Sequence, residues 1–511
     1  SSLINVQLCV EIYVVFVSEK VSLFVAKREV NSQYWIPTQA QPKTRVFPRR
    51  SETQEVSSPN RNQEPIEEIF KLLRRYAREY GTAYKLSFWY EYTLVFAKPD
   101  IAKKILNTQS YAAKSRDYDK VAEWIGYGLL TSKGEKWFKR RKVLTPGFHF
   151  KILESFIRVF NEKSDELCRK LTSFGGSDVD VFPTLKLYTL DVLCETALGY
   201  SCNAQTENSF YPMAVEELMS ILYWRMFNLF ASVDCLFRFM KEYRRFHDLV
   251  RDTREFTLKI INQKRQLLKD NPDEVAIDGG ENHGKKKMAL LDLLLRANID
   301  GKPLSDDDIR EEVDTFTFAG HDTTASALMF LLFNIAKHPE VQQKLHDEIT
   351  SVVGTATQLD LHTLNELSYL DLVIKESLRL YPSVPMIARL ATENTQLDDM
   401  AIPEGTCVSI DIYQMHRDPN NFEDPESFIP ERFNAIKEGG KHNPFTYIPF
   451  SAGSRNCIGQ KFAQYEMKIA VTKVIQSFRL ELPIPDMEPI LKAEIVLKPA
   501  EKLPIRFIPR S

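Results

Sequence analysis

One cysteine in this chain has neighbours suited to chemistry. In the stretch PFSAGSRNCIGQ, Cys457 lies two residues after Arg455 and between Gly453 and Gly459, ahead of a long amphipathic run that begins at Ile458. Glycines carry no Cβ, so the backbone there can bend sharply and lie against a flat cofactor. A sulfur at a helix start faces unpaired N–H groups and the positive end of the helix dipole, which lower a thiol's pKa and stabilise the thiolate. Arg455 adds a fixed positive charge suited to a carboxylate on the same cofactor. The same residues also fit a buried free cysteine in a glycine-containing loop, the ordinary fate of a lone cysteine.

Three further stretches place polar groups at useful spacings. In LSDDDIREEVDTFTFAGHDTTASALMFLLFNIAKHP, Ser305 with Asp308 makes a capping-box start and Pro339 marks the end. About thirty helical residues span roughly 45 Å, enough to cross a domain. Gly320 at its centre costs roughly 1 kcal/mol against Ala. His321, Asp322, Thr323 and Thr324 follow it and need partners or water, so the helix is expected to bend and open its ladder around a small wet cavity. A Thr-rich packing notch is the plainer alternative. In GEKWFKRRKVLTPGF, Trp137 and Arg141 are four apart and reach the same side of a helix. A basic surface helix with one packed Trp fits equally well. In LDLVIKESLRLYP, Glu376 and Arg379 are three apart, as for a local ion pair.

The elements that must position these groups are mostly helical. PIEEIFKLLRRYAREYG, from Pro65, has apolar residues at helical spacing and ends on Gly81; AYKLSFWYEYTLVFAKP then reads as a pair of short strands. PDIAKKILN starts another helix with Pro in its first turn, and Thr108 to Leu130 is a mixed segment suited to a loop over a pocket. Residues 151 to 270 keep helical patterning almost throughout. The aromatic-rich segment FYPMAVEELMSILYWRMFNLFASVDCLFRFM fits core, substrate channel or membrane-contacting surface, with core the default. Residues 271 to 287 read as a surface loop. TCVSIDIYQMHRDP and AEIVLKPAEKLPIRFIP alternate enough for short β elements, and Phe422 to Asn456 is a loop-rich approach to the cysteine turn.

Composition narrows the classes. The chain has 511 residues, long for one domain, with hydrophobic and charged fractions of 43% and 27% that are ordinary for a globular protein. A net charge of −2 argues against a general nucleic-acid binder. The seven cysteines, Cys9, Cys168, Cys194, Cys202, Cys235, Cys407 and Cys457, are odd in number, irregularly spaced and free of any C-x-x-C pair. They form neither a disulfide framework nor a zinc site, and a reducing, cytosol-facing compartment fits them. Words for zinc proteases, serine hydrolases and phosphate-loop enzymes are missing. Leu3 to Lys27 is apolar in patches but broken by Glu11, Glu19 and Lys20, too short a run for the about 20 residues a bilayer needs. Residues 37 to 64 read as a linker. With no initiator Met, residues 1–64 are expected to be an atypical segment: a degenerate or missing membrane anchor plus linker.

Read whole, the word F-x-x-G-x-R-x-C-x-G, met at Phe450, Gly453, Arg455, Cys457 and Gly459, resembles the haem-binding signature of the cytochrome P450 monooxygenases. The resemblance runs from about Pro65 to the C-terminus through five words in family order: W-x-x-x-R, A-G-x-D-T-T, E-x-x-R, P-E-R-F and the cysteine loop. It implies a mainly α fold with a small β region and a single haem-thiolate domain over residues 65–511. Cys457 would ligate the iron of haem b, with Phe450 and Gly459 in its loop. Trp137, Arg141, Arg389 and Arg455 would hold the propionates. Thr323 would hydrogen-bond the bound dioxygen or its water, and Asp322 would help relay protons from solvent. Glu376, Arg379 and Arg432 would fix the haem-side loop.

Within the family, EVDTFTFAGHDTT and TPGFHFKILESF look most like the fatty-acid ω-hydroxylase branch, its insect members in particular. Many of that branch have Glu, able to esterify a haem methyl, where this chain has Ala319; no ester is expected here. The implied partners are an NADPH-dependent flavoprotein reductase, for which Lys139, Arg140 and Lys142 would offer a basic face (or a merely solvated one), cytochrome b5, and the cytosolic face of the endoplasmic reticulum membrane. The implied substrate is lipophilic: fatty acid-like, isoprenoid or foreign. Two rivals share the cysteine loop, a haem-thiolate isomerase or dehydratase acting on peroxides and a non-catalytic haem-binding protein. Neither requires Asp322 and Thr323.

Overall fold

The computed structural model describes residues 10–17, 20–27, 64–88, 91–270, 289–437 and 443–510. It is mainly helical around one long central helix, with a small β region on one flank. The helices that matter here are α1 (Glu64–Tyr80), α2 (Gly134–Leu144), α3 (Phe150–Thr172), α4 (Phe182–Leu193), α5 (Tyr211–Phe227), α6 (Asp306–Lys337), α7 (Ser368–Leu380) and α8 (Gln460–Ser477). α6 is the axle. Ser305 and Asp308 close its N-terminus in a reciprocal capping box. α4, α7 and α8 all pack on it, and α3 packs on α8.

Among the described residues the main sheet has seven strands: β1 (Val10–Val17), β2 (Lys20–Lys27), β3 (Ala83–Phe88), β4 (Glu91–Phe96), β5 (Ala113–Lys114), β6 (Met386–Leu390) and β7 (Cys407–Asp411), in the spatial order β2-β1-β3-β4-β7-β6-β5. Alternation along β4 explains its two faces. Leu94 and Phe96 pack into a cluster with Ile101 and Ile105, whereas Val95 joins Tyr84, Leu86 and α1's Tyr76 and Ala77 on the other side. A hairpin near the C-terminus, β8 (Leu491–Ala493) with β9 (Leu497–Pro499), returns toward α6.

Several expectations change. The ladder of α6 does not open: the helix is continuous from Asp306 to Lys337. Several of its polar groups are satisfied within or across the intact helix. Thr317, His321 and Thr323 bond back to the carbonyls of Val313, Thr317 and Ala319, while Thr189 and Ser383 donate from outside to the carbonyls of His321 and Thr323, each at 2.9 Å. Gly320 is needed because a Cβ there would fall 2.7 Å from Leu193 Cδ1, so its helix-propensity cost secures close packing of α4. The linker read over 37–64, apart from Glu64, and the surface loop read over 271–287 lie outside the described residues. Of the Leu3–Lys27 stretch, β1 and β2 pair antiparallel, and β1 joins β3 in parallel.

Candidate active site

The cysteine loop is held from below by a chain of hydrogen bonds. Cys457 N–H donates to Phe450 O at 2.9 Å and Asn456 N–H to Gly453 O at 3.2 Å, coiling the loop into the start of α8. Gly453 sits at φ +71°, and a Cβ there would lie 2.1 Å from Leu106 O. The glycine is therefore required by a neighbouring strand of chain and not by a cofactor. Gly459 has an ordinary φ of −87°, so the sharp bend expected of it is not needed. Cys457 Sγ opens into a cavity of about 280 Å³ that also reaches Thr323, Ala319, Trp137 and Arg455. The expected lowering of its pKa is not met. Burial pushes the thiol up, with the Gly459 N–H and Arg141 opposing, and it is Arg141, not Arg455, whose charge the sulfur feels.

At one end of this cavity, lined by Lys114, Arg141 and Arg455 but not by Arg389, the protein buries cations that have no counter-ion among the described residues. The β5–β6 register sets Lys114 directly opposite Arg389, an arrangement of like charges that ordinarily destabilises a strand pair. Both are buried, and Arg455 lies close by. Arg455 donates to Ser132 O at 2.6 Å and stacks 4.4 Å from the Trp137 ring, yet its Nε and Nη1 have no hydrogen-bond partner among the described residues. Burial and the neighbouring cations pull Arg455 down to about 9 and Lys114 well below the usual lysine range. Burial lowers Arg389 too. Arg141 enters the same wall and forks onto Asn456, donating to its backbone O at 2.9 Å and to Oδ1 at 2.8 Å. Among the described residues none of these four cations has an acidic partner. Such a cluster calls for an anion carrying at least two charges, and a tetrapyrrole with two propionates and a thiol-ligated metal fits both ends of the cavity.

The remaining walls are apolar, with Thr323 as one hydroxyl. Thr323 Oγ1 donates to Ala319 O at 2.7 Å, and both residues face the cavity. Asp322 is buried but turns elsewhere. Among the described residues neither of its oxygens is hydrogen-bonded, and the fully buried Lys498 of β9 lies 3.8 Å away. Burial alone would raise this carboxyl; Lys498 and Lys186 override that and hold it below the usual carboxylate range. Lys498 in turn pairs with Glu494 at 3.1 Å, and Glu494 lines a second cavity of about 350 Å³ that shares Tyr118, Val121 and Ile495 with the first.

Glu376, Arg379 and Arg432 meet as one buried, fully partnered group. Arg379 forks onto both Glu376 oxygens at 2.8 Å, and Arg432 Nε reaches Glu376 Oε1 at 2.9 Å. Arg379 also donates to His416 O at 2.9 Å, and His416 Nε2 accepts the N–H of Ile448, at the base of the cysteine loop, at 3.0 Å. Burial lowers His416 to about 3, so it stays neutral and able to accept.

Sequence reasoning missed Lys114, Glu494, Lys498 and His416. Lys498 had a signal, a charge placed inside an alternating strand; Lys114 had none. Arg140 must be withdrawn from the basic face, because it is buried against Asp308 and Glu312. Lys139 is tied to Glu135 and Asp300, which leaves Lys142 exposed on that helix.

A cavity with a thiol on one wall, unbalanced cations at one end and a threonine hydroxyl on a central helix defines a haem-thiolate class of site. Comparison agrees: the family model described as Cytochrome P450 matches residues 60–507, and the chain belongs to that family. It is similar to Cytochrome P450 4d2 of Drosophila melanogaster, 41% identical over 87% of this chain and 90% of that one. Cytochrome P450 4d1 of the same fly is 40% identical over 86% and 88%, and Cytochrome P450 4c3 is 41% identical over 81% and 79%. The protein is a haem-thiolate monooxygenase that uses haem b, dioxygen, electrons from a redox partner and a lipophilic substrate.

Proposed function

We propose that Cys457 would ligate, as its thiolate, the haem iron of a monooxygenase that hydroxylates a fatty acid-like chain, with isoprenoids and foreign lipophiles as the nearest alternatives. The observation that carries the site is the pairing of an open thiol with uncompensated buried cations across one cavity. Arg141, Arg389 and Arg455, with Trp137 stacked on Arg455 and Lys114 opposite Arg389, would hold the two propionates. When bound, the thiolate-ligated iron supplies oxygen activation and the electron push that favours O–O cleavage. The chain's own residues do the rest. Apolar walls from Phe316, Phe318, Ala319 and Ile387 exclude water and align a C–H bond. Thr323 Oγ1 stands at the cavity surface, where turning its O–H away from the Ala319 carbonyl would present a proton, and Asp322, kept ionised by Lys498, would accept a proton from solvent and pass it on. The reduced carbon monoxide spectrum tests the ligand: a strongly red-shifted Soret band in the native protein, lost in Cys457→Ala. A band unchanged in that variant would refute the assignment.

Residues 65–511 are taken as one catalytic unit. The electron donor fits an NADPH-dependent flavoprotein reductase, with cytochrome b5 as a second donor, approaching the side that carries Lys142. No helix among the described residues is long and apolar enough to cross a membrane. Phe210, Met213, Phe230 and Phe239 nevertheless stand exposed, Phe239 at 90%, within the aromatic-rich segment whose Tyr211, Val215 and Leu222 form core. Exposed apolar groups of this size suit a membrane surface, in keeping with the cytosolic face of the endoplasmic reticulum. Ala319 presents only a methyl group, so the haem is held without an ester.

A further inference from the structure

Glu312 is a buried carboxyl that the chemistry above does not use. It lies on α6 one turn before Thr315 and Phe316, which line the thiol cavity, and has no exposed surface. Its Oε2 accepts the backbone N–H of Leu129 at 2.9 Å. Its Oε1 has no hydrogen bond and faces Arg140 Nη1 of α2 at 3.6 Å. Burial raises the carboxyl to about 7, with the Leu129 N–H and Arg140 opposing.

The segment carrying Leu129 is built to lie tight on α6. A Cβ on Gly126 would fall 2.4 Å from Glu311 Cγ, and one on Gly128 would fall 2.3 Å from Thr315 Oγ1 and 2.5 Å from Glu311 O. The loop closes on itself, Thr131 Oγ1 donating to Gly126 O at 2.7 Å and Ser132 N–H to Gly128 O at 2.9 Å. Its far end is tied to Arg455 through Ser132 O. Between the two ties, Leu129 and Leu130 form part of the cavity wall.

We propose that Glu312 is a positioning residue that pins the 126–132 loop to α6 and so sets how far Leu129 and Leu130 enter the cavity, and hence the girth of ligand it admits. This rests on the reading of that cavity as the substrate site. A buried carboxyl holding a single backbone N–H, with a cation from the neighbouring helix behind it, is a costly arrangement for packing alone. It couples the loop to the helix that bears Trp137 and Arg141.

The test uses the holoenzyme and three variants: Glu312→Ala, Glu312→Gln and Gly128→Ala. Hydrogen exchange is read at the Leu129 amide, and binding is read by spectral titration with straight-chain and branched alkyl imidazoles. Glu312→Ala and Gly128→Ala should both speed exchange at Leu129 by roughly five- to tenfold. Both should also shrink the preference for straight over branched ligands, with the reduced carbon monoxide band intact. Glu312→Gln, which keeps an acceptor oxygen, should retain protection and preference. Unchanged Leu129 exchange in Glu312→Ala overturns the proposal, as does faster exchange spread evenly through the protein. Faster local exchange with unchanged ligand preference overturns the reading of this cavity as the substrate site while leaving the pin in place.

Discussion

Two groups of buried charge lie on either side of the cysteine loop, and they are opposites. Glu376, Arg379 and Arg432 form a closed set. Glu376 Oε1 accepts from Arg379, Arg432 and the Ile429 N–H, Oε2 accepts from Arg379, and the spare guanidinium N–H groups end on the carbonyls of His416, Pro425, Ser427 and Glu423. Lys114, Arg389 and Arg455 form an open set. Like charges face one another, two N–H positions of Arg455 have no acceptor, and no carboxylate among the described residues answers them. Buried charge is costly wherever it sits. Where the protein supplies all the partners, the charge fixes structure; where it withholds the counter-ion, it marks a place for one that arrives from outside.

The contrast is broken most forcefully on the closed side. Glu376→Ala strips the acceptor from two buried guanidinium groups at once, so stability should fall by about 3–5 kcal/mol. The His416–Ile448 contact beneath the cysteine loop should loosen with it. Chemical denaturation and haem content measure the two effects; a variant that denatures normally and retains haem would show that Glu376 is not what neutralises the two arginines.

On the open side the sign should reverse. Lys114→Met removes a buried cation that has no acidic partner among the described residues and only the Tyr118 ring beneath it, so the haem-free protein should become more stable, on the order of 1–4 kcal/mol as for replacing a buried charge by an apolar group. The haem-loaded protein should instead release its cofactor more readily. pH sharpens this test. The Lys114 pKa is depressed in the folded, anion-free protein by burial, Arg389 and Arg455, so the unfolded chain binds the extra proton. Stability should then rise with pH across the interval from the depressed value up to the ordinary lysine value of about 10.5. That slope should vanish in Lys114→Met and shrink when haem is bound. A destabilised haem-free Lys114→Met with the slope intact would mean that Lys114 has a partner after all.

Reading the chain without its structure reached one side of this comparison more fully than the other. Glu376 and Arg379 are local, three residues apart on a helix, and the cysteine loop and its arginine are contiguous, so their chemistry shows in the spelling. The long helix was equally legible from its cap and its terminating proline. Lys114 was not, because its meaning comes from a cross-strand register between β5 and β6, 275 residues apart in their closest paired positions. Asp322 was recognised, but its partner Lys498 comes from a hairpin near the opposite end of the chain. Arg140 was misread for a related reason: helical spacing gives a face, and only packing against α6 says that this face is covered. The continuous ladder of α6 was missed because Thr189 and Ser383, which satisfy it from outside, are distant in sequence.

The smallest perturbation probes the cavity's apolar wall against its cationic end. Ala319 lines the cavity on the same turn of α6 as Thr323, whose hydroxyl is bonded to the Ala319 carbonyl. With a methyl group there, the chain offers no carboxylate at that point, and haem should leave completely on acidic organic extraction. Ala319→Glu adds a carboxyl to the wall without touching Lys114, Arg389 or Arg455, so fold and haem uptake should change little. During turnover a fraction of the haem should then resist extraction, as an ester would. If the native protein already retains haem after extraction, another residue makes a covalent link and the assignment of all attachment to the thiolate and the cations is wrong. If Ala319→Glu instead fails to load haem, the wall is closer to the cationic end than the lining suggests, and the division between the open set of charges and the apolar cavity would have to be redrawn.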